Sequence, residues 1–174
     1  GSPFTLRGGM REIGAFFGFR PPTLRAAIVS RRTSPALVAS VTIDGELYVD
    51  GALGSRGAAM LEPYSDDHRN SGLLLMTLEE LARVTAKARK CQVQVATHAI
   101  GDRGNREVID AYASALGTSG PAQFRWRIEH AQVLSPLDLP RLAPLGIIAS
   151  MQPTHATSDM PWAENRVGTA RIVG

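Results

Sequence analysis

The chain has 174 residues, of which 44% are hydrophobic and 20% charged, a length and composition usual for one folded domain. This composition excludes a disordered or fibrous protein. The formal net charge is +3 and the basic residues are scattered, so we expect no nucleic-acid partner. No stretch approaches the roughly 20 apolar residues of a membrane span. We therefore predict a cytoplasmic protein that makes no contact with a membrane.

The first part of the chain, residues 1–45, carries no pattern that we can interpret. Glycine and proline pairs interrupt every periodic stretch and leave only Thr23 to Ser30 as a possible short helix. From Glu46 onward, strand-like and helix-like stretches alternate every thirty residues or so, about the spacing of βαβ units. We therefore divide the chain into an N-terminal segment of unclear structure, residues 1–45, and one domain, residues 46–174.

The first predicted elements of the domain are a short strand and a long helix. The strand covers residues 47–49 and ends at the turn signal Asp50-Gly51. The helix begins after Thr77, whose hydroxyl lies three residues before Glu80 in a capping-box pattern, and ends near Lys90. The residues expected on its buried face are Leu78, Leu81, Ala82, Thr85 and Ala88. The single cysteine, Cys91, follows this helix, and we expect a buried thiol there.

The remaining elements continue the alternation of strands and helices. We predict strands over residues 92–97, 124–128 and 146–151, and helices over residues 105–116 and 135–145, the second capped by Ser135. The three strands end at or just before His98, His130 and Gln152. Because the carboxyl ends of parallel barrel strands open on one face, we expect these side chains to converge. The predicted fold is α/β, a partial TIM-type barrel of about four to five βα units.

Two histidines at neighbouring strand ends are typical of a metal site, since neutral imidazole is a common ligand of divalent transition metals. The alternative is that His98 and His130 are hydrogen-bonded structural histidines. Asp102 is expected near a helix start, where it either interacts with the helix dipole or orients a metal-binding imidazole. Glu129 is expected to point away from the barrel interior, into a structural ion pair.

Two further histidines lie in loops. His155 follows the strand that precedes Gln152, close enough to touch a substrate, although loop histidines are also often simply solvated. His68 lies in a polar stretch that is typical of an exposed loop.

Four motifs of the domain resemble amidohydrolase family 3, the YtcJ-like metal-dependent hydrolases. In chain order they are Asp50-Gly51-Ala52-Leu53-Gly54-Ser55-Arg56-Gly57-Ala58-Ala59, His98-Ala99-Ile100-Gly101-Asp102-Arg103, Arg127-Ile128-Glu129-His130-Ala131-Gln132 and Ser150-Met151-Gln152-Pro153-Thr154-His155. The resemblance covers roughly residues 46–174 and does not include residues 1–45.

The resemblance implies a TIM-barrel hydrolase that holds one or two divalent metal ions, usually zinc, and cleaves amide-like C–N bonds of small molecules with metal-activated water. His98 and His130 would be metal ligands. Asp102 and His155 are candidate catalytic residues, and Arg56 and Gln152 are candidate substrate-binding residues.

The sequence departs from the family pattern in three ways. No two histidines have the family's His-x-His spacing, and the late-strand Asp ligand would lie beyond Gly174. Where the family commonly has a carboxylated lysine, this chain has Glu46, which we predict as a third metal ligand. We expect a truncated hydrolase that forms a homo-oligomer, because part of a barrel exposes its edges and interior. The alternative is a catalytically inactive barrel fragment that serves as an oligomeric binding or assembly module.

Overall fold

Four short parallel strands form the centre of the molecule. The computed structural model describes residues 47–117 and 121–172, so the predicted helix from Thr23 to Ser30 and the predicted ligand Glu46 lie outside the described residues. The strands are β1 (Leu47–Tyr48), β2 (Ala96–Ala99), β3 (Arg127–His130) and β4 (Ile148–Ser150). All neighbouring pairs are parallel and the strand order is β1-β2-β3-β4. This confirms the predicted α/β partial barrel.

Helices connect and follow the strands. They are α1 (Leu78–Lys90), α2 (Asp102–Leu116), α3 (Leu139–Leu142), α4 (His155–Ser158), α5 (Ala163–Val167) and α6 (Thr169–Ile172), with a 3₁₀ turn at Pro121–Phe124. The long helices α1 and α2 pack against each other and against the outer face of the sheet. Each strand is shorter than the sequence predicts, because pairing along the sheet covers only two to four residues.

Helix α1 begins as the sequence predicts. The Thr77 hydroxyl accepts the Glu80 backbone N–H at 3.2 Å, and the Glu80 carboxylate accepts the Thr77 N–H at 3.1 Å. The predicted buried face is partly wrong, since Leu78 and Ala82 are exposed and Val84 is buried. Cys91 is also exposed, against the prediction, because it caps the exposed end of α1.

Two other predicted helix starts are wrong. Helix α2 begins at Asp102 and not at Asn105, because Gly101 supplies the carbonyl that accepts the Asn105 N–H at 2.9 Å. Ser135 caps no helix. Its carbonyl and hydroxyl instead accept backbone N–H groups in a local turn, and only the four residues of α3 become helical.

The main core lies between the sheet and the long helices. Tyr112 of α2 ties two strands together, because its hydroxyl lies 2.7 Å from the Thr97 hydroxyl and donates to the Arg127 carbonyl at 3.0 Å. Trp126 is fully buried, stacks edge-on against Tyr112 at 4.9 Å and donates its indole N–H to the Val93 carbonyl. These contacts hold β2 and β3 in a fixed relation to α2.

The opposite face of the sheet carries polar and aromatic side chains. Tyr48 is paired with His98 and His98 with Glu129, so all three side chains lie on the face turned away from the helices. The prediction that Glu129 points away from the barrel interior is therefore wrong, although its ion pair, with Arg127, is present. None of the helices in residues 47–117 and 121–172 is long and apolar enough to cross a membrane.

Candidate active site

His98 and His130 lie side by side at the ends of neighbouring strands. Their ring centroids are 4.5 Å apart, and the ring planes meet at 68°. Tyr48 of β1 covers the other side of His98, at 4.9 Å between ring centroids. The structure thus brings together the two imidazoles that the sequence singles out.

An unusual backbone conformation turns His130 toward His98. In register, His130 pairs with Ala99, which would place its side chain on the helix side of the sheet. His130 and the next residue, Ala131, have φ angles of 72° and 43°, in the left-handed region that residues with a Cβ rarely adopt. Each such residue costs on the order of 1 kcal/mol, and strain of this kind is concentrated at functional sites. The strained strand end delivers the imidazole to the inner face.

Three of the four imidazole nitrogens of this pair are buried without a hydrogen bond of good geometry to the described part of the chain. They are Nδ1 and Nε2 of His98 and Nδ1 of His130, and the Gly51 backbone also lies close enough to the His98 ring to raise its pKa. Buried polar atoms are nearly always satisfied, and an imidazole nitrogen with a free lone pair can bind a metal ion. The pair therefore fits a divalent cation. Among residues 47–117 and 121–172 no three His, Cys, Asp or Glu side chains form a complete metal site, and Glu46 lies outside that range.

Burial favours the form of His98 that can bind a metal. The pKa of His98 is lowered mainly by burial and further by the neighbouring His130. A lowered pKa keeps the imidazole neutral at neutral pH, and only the neutral imidazole has a lone pair to donate.

Asp50 is a central residue of the site that sequence reasoning missed. Its carboxylate is fully buried and accepts backbone N–H groups from Ala59, Ile100 and Gly101 at 2.8 to 2.9 Å. Its Oδ1 lies 3.7 Å from Nε2 of His98. Burial raises the pKa of Asp50 to about 6, against the opposing effect of the three hydrogen bonds. Asp50 joins the end of β1, the following loop and the turn after β2.

The signal for Asp50 was present in the sequence but was interpreted as a turn. An Asp-Gly pair is common in surface turns, so burial is not the first expectation. The glycines that follow β2 are the better indication. A Cβ on Gly101 would lie 2.0 Å from the Ala59 carbonyl oxygen, and one on Gly104 would lie 2.5 Å from Asp50 Oδ2. Close packing onto the Asp50 loop therefore requires glycine at both positions.

His155 joins the histidine pair from the loop after β4. Its ring centroid lies 5.6 Å from that of His130, in an edge-on arrangement. Nδ1 of His155 lies 3.3 Å from Oδ2 of Asp159, and the same oxygen accepts the Gln132 side-chain N–H at 2.6 Å. His155 therefore lies at the histidine pair and is held by neighbouring side chains.

The other predicted site residues have other surroundings. Asp102 accepts the N–H groups of Leu61 and of Arg103, which anchors the Asp50 loop to α2. It lines a shallow pocket that none of the histidines lines. Arg56 makes a two-bond ion pair with Asp66 inside that loop, at 2.9 and 3.1 Å. The side-chain carbonyl of Gln152 is buried and unpartnered in the described residues.

Comparison with known proteins identifies the family. The family model described as "Amidohydrolase family" matches residues 27–174, most of the chain and part of the N-terminal segment. The chain belongs to this amidohydrolase family. The assignment agrees with the resemblance to amidohydrolase family 3 that the motifs indicate.

Two curated relatives and two solved structures are similar to this family member. "Protein LONG AFTER FAR-RED 3" of Arabidopsis thaliana is 41% identical over 72% of the chain, and "Putative amidohydrolase YtcJ" of Bacillus subtilis (strain 168) is 37% identical over 73%. An uncharacterized metal-dependent hydrolase from Pyrococcus horikoshii OT3 has a TM-score of 0.64 and 40% identity over 72% of the chain. One from Pyrococcus furiosus has a TM-score of 0.68 and 31% identity over 95%.

The chain spans only a small part of each of these proteins. The matches cover 22% and 23% of the two curated relatives and 24% and 30% of the two solved chains. The similarity thus applies to one section of each of these longer proteins.

Proposed function

We propose that this chain forms part of the catalytic barrel of a metal-dependent hydrolase that cleaves amide-like C–N bonds of small molecules. The observation that carries the proposal is the pair formed by buried His98 and half-buried His130, whose ring centroids are 4.5 Å apart and three of whose ring nitrogens are buried without a hydrogen bond to the described residues. The metal-dependent hydrolases among the similar structures support it. Zinc is the proposed metal, because histidine nitrogens together with a carboxylate form a common set of protein ligands for zinc.

The residues of the chain divide the work of the proposed site. His98 and His130 donate nitrogen lone pairs, and Glu46 is the proposed third ligand. Three protein ligands with one open position is the usual arrangement of catalytic zinc. A bound divalent ion would supply charge to polarise a substrate carbonyl and to lower the pKa of water. Burial of His98 keeps its imidazole neutral, as this role requires.

The substrate-binding and catalytic assignments remain proposals. Gln152 has a buried carbonyl oxygen free to accept a substrate N–H, and His155 lies beside His130. Arg56 holds its loop in place through the ion pair with Asp66. It would contact a substrate only if this ion pair broke. For Asp102 the observed partners favour anchoring of the Asp50 loop over direct chemistry.

We also propose an assembly state and a location for the chain. The inner face of the sheet exposes Tyr48 and Ile148, at 50% and 36% of their surface. Exposed apolar side chains of this kind favour association, and we propose a homo-oligomer. We propose a cytoplasmic location on composition alone.

Metal content and amide hydrolysis test the proposal together. Protein purified without chelator is analysed for zinc and other divalent metals, and then assayed with a panel of N-acyl and amide compounds before and after chelation. We expect bound metal and hydrolysis that chelation removes. His98→Ala and His130→Ala should lose both, whereas His68→Ala, in an exposed loop, should lose neither.

Absence of metal in the wild-type protein, together with no effect of His98→Ala, would contradict the proposal. That result would favour the alternative of an inactive barrel fragment that serves as a binding or assembly module.

A further inference from the structure

We propose that Asp159, held in place by Gln132, is a positioning residue that fixes the ring orientation and the neutral tautomer of His155. In this tautomer Nδ1 carries the proton and Nε2 presents its lone pair to the substrate side of the site. The inference rests on the proposed function, since it assigns His155 a contact with substrate.

The hydrogen bonds around Asp159 carry the inference. Oδ2 of Asp159 receives the Gln132 side-chain N–H at 2.6 Å and lies 3.3 Å from Nδ1 of His155. Oδ1 is occupied separately by the Ser158 hydroxyl at 2.8 Å. A carboxylate is an acceptor only, so the imidazole nitrogen facing it must be the one that bears hydrogen. The remaining nitrogen of a neutral ring is then an acceptor.

Gln132 connects this unit to the histidine pair. It lies two residues after His130, just past the left-handed turn that brings the His130 imidazole to the inner face. A single side-chain bond thus links the end of β3 to the loop after β4, across 27 residues of sequence. The position of Asp159, and with it that of His155, is set by the strand that carries a proposed metal ligand.

The backbone of Asp159 has a separate structural duty. Its carbonyl accepts the N–H groups of Trp162 and Ala163 at 3.0 and 2.8 Å, and these bonds start α5. A side-chain substitution leaves them in place. The role of the carboxylate can therefore be tested apart from the role of the backbone.

The orientation has a consequence for the substrate. With Nδ1 occupied by Asp159, His155 can only accept a hydrogen bond at Nε2. The group that it contacts must then carry an N–H or O–H donor, as an amide or alcohol does. Without Asp159 the ring can adopt the tautomer in which Nε2 carries the hydrogen. Nε2–H cannot accept a hydrogen bond, so binding of a substrate N–H or O–H group at this position would be weakened.

Nitrogen NMR of the imidazole rings tests the proposal directly. Metal-free protein with ¹⁵N-labelled histidine is measured at about pH 8.5, above the usual titration range of imidazole. The wild-type His155 ring should be mainly the Nδ1–H tautomer. Asp159→Ala should reverse this to mainly Nε2–H, the form that free imidazole side chains favour. Asp159→Asn should retain the wild-type form, because its amide oxygen still accepts from Nδ1.

Two further variants complete the test. Ser158→Ala removes only the bond to Oδ1 and should leave the tautomer unchanged. Gln132→Leu should increase the fraction of the Nε2–H tautomer of His155, but by less than Asp159→Ala does. If the Asp159→Ala protein does not fold, Gln132→Leu decides the outcome. A wild-type ring already in the Nε2–H form, or a tautomer indifferent to both substitutions, would overturn the proposal. Since the spectra are recorded without metal, this result is independent of whether His98 and His130 bind one.

Discussion

At the scale of single residues, Asp50 shows how a buried carboxylate shapes the candidate site. It satisfies three backbone N–H groups from two different segments, and it is fully buried. Asp50→Ala should lower the free energy of unfolding by about 2 to 4 kcal/mol, because three buried donors lose their acceptor. Denaturant unfolding measures the change.

Asp66→Asn is the matched control for this variant. It lies in the same loop and its ion pairs with Arg56 and Arg166 are partly exposed, so the loss should not exceed about 1 kcal/mol. Equal losses of stability in the two variants would contradict the claim that the three buried hydrogen bonds of Asp50 stabilise the fold.

The histidines show what could be predicted from residues and what could not. Parallel topology alone predicts that His98 and His130 share one edge of the sheet, and the structure places them together. Strict alternation of side chains along β3 predicts that Glu129 and His130 lie on opposite faces of the sheet. Glu129 instead lies on the same inner face as the His130 imidazole, because the left-handed φ of His130 breaks the alternation. Such a backbone conformation has no signature in the residue types His-Ala.

At the scale of elements, the capping box of α1 is the clearest local structure. Thr77→Ala removes the hydroxyl that accepts the Glu80 N–H and should lower the free energy of unfolding by about 1 kcal/mol. Thr157→Ala is a control, because Thr157 lies in the short exposed helix α4 and its hydroxyl donates only to the Thr154 carbonyl. Thermal and denaturant unfolding should both detect the difference, and a Thr77→Ala protein as stable as wild type would contradict the role of the cap.

The charge on Glu80 adds a pH dependence to the same element. Its hydrogen bonds from the Thr77 hydroxyl and backbone N–H lower the pKa of Glu80 below its ordinary value of 4.5. A depressed pKa gives stabilisation that is complete above 4.5 and is lost as the pH falls through the folded-state pKa. Wild type should therefore exceed Glu80→Gln in stability at neutral pH, and the two should converge in acid. A difference that persists unchanged at acidic pH would be inconsistent with this origin.

Local patterns predict some elements better than others. The start of α1 follows from Thr77 and Glu80, because the capping bonds join these two residues, three positions apart, and need no distant part of the chain. The helix predicted from Ser135 does not form, because its hydroxyl and carbonyl bond within a local turn. The exposure of Cys91 depends on where the end of α1 lies relative to the rest of the fold. The residues around the helix end carry no information about that position.

At the scale of the whole molecule, metal binding and folding should be coupled. His98 and His130 come from separate strands and meet only in the folded chain, so a cation that binds both stabilises the native state. Zinc at 100 times its dissociation constant should add about 2.7 kcal/mol to the free energy of unfolding. Thermal unfolding with and without zinc measures the shift, and a melting temperature indifferent to zinc would argue against a shared site.

The overall architecture was largely predictable because the order of strands follows from right-handed βα connections. The contact between His155 and Asp159 was not, since it depends on the short helix α4 forming after β4, with Asp159 at its end, where the sequence predicts only a loop.

Calorimetric titration of zinc into the metal-free protein tests the central claim most directly, namely that His98 and His130 hold one cation between them. The wild-type protein and His68→Ala should bind zinc with the same affinity, and His98→Ala and His130→Ala should each lose most of that affinity. Equal zinc affinity in all four proteins would contradict the claim.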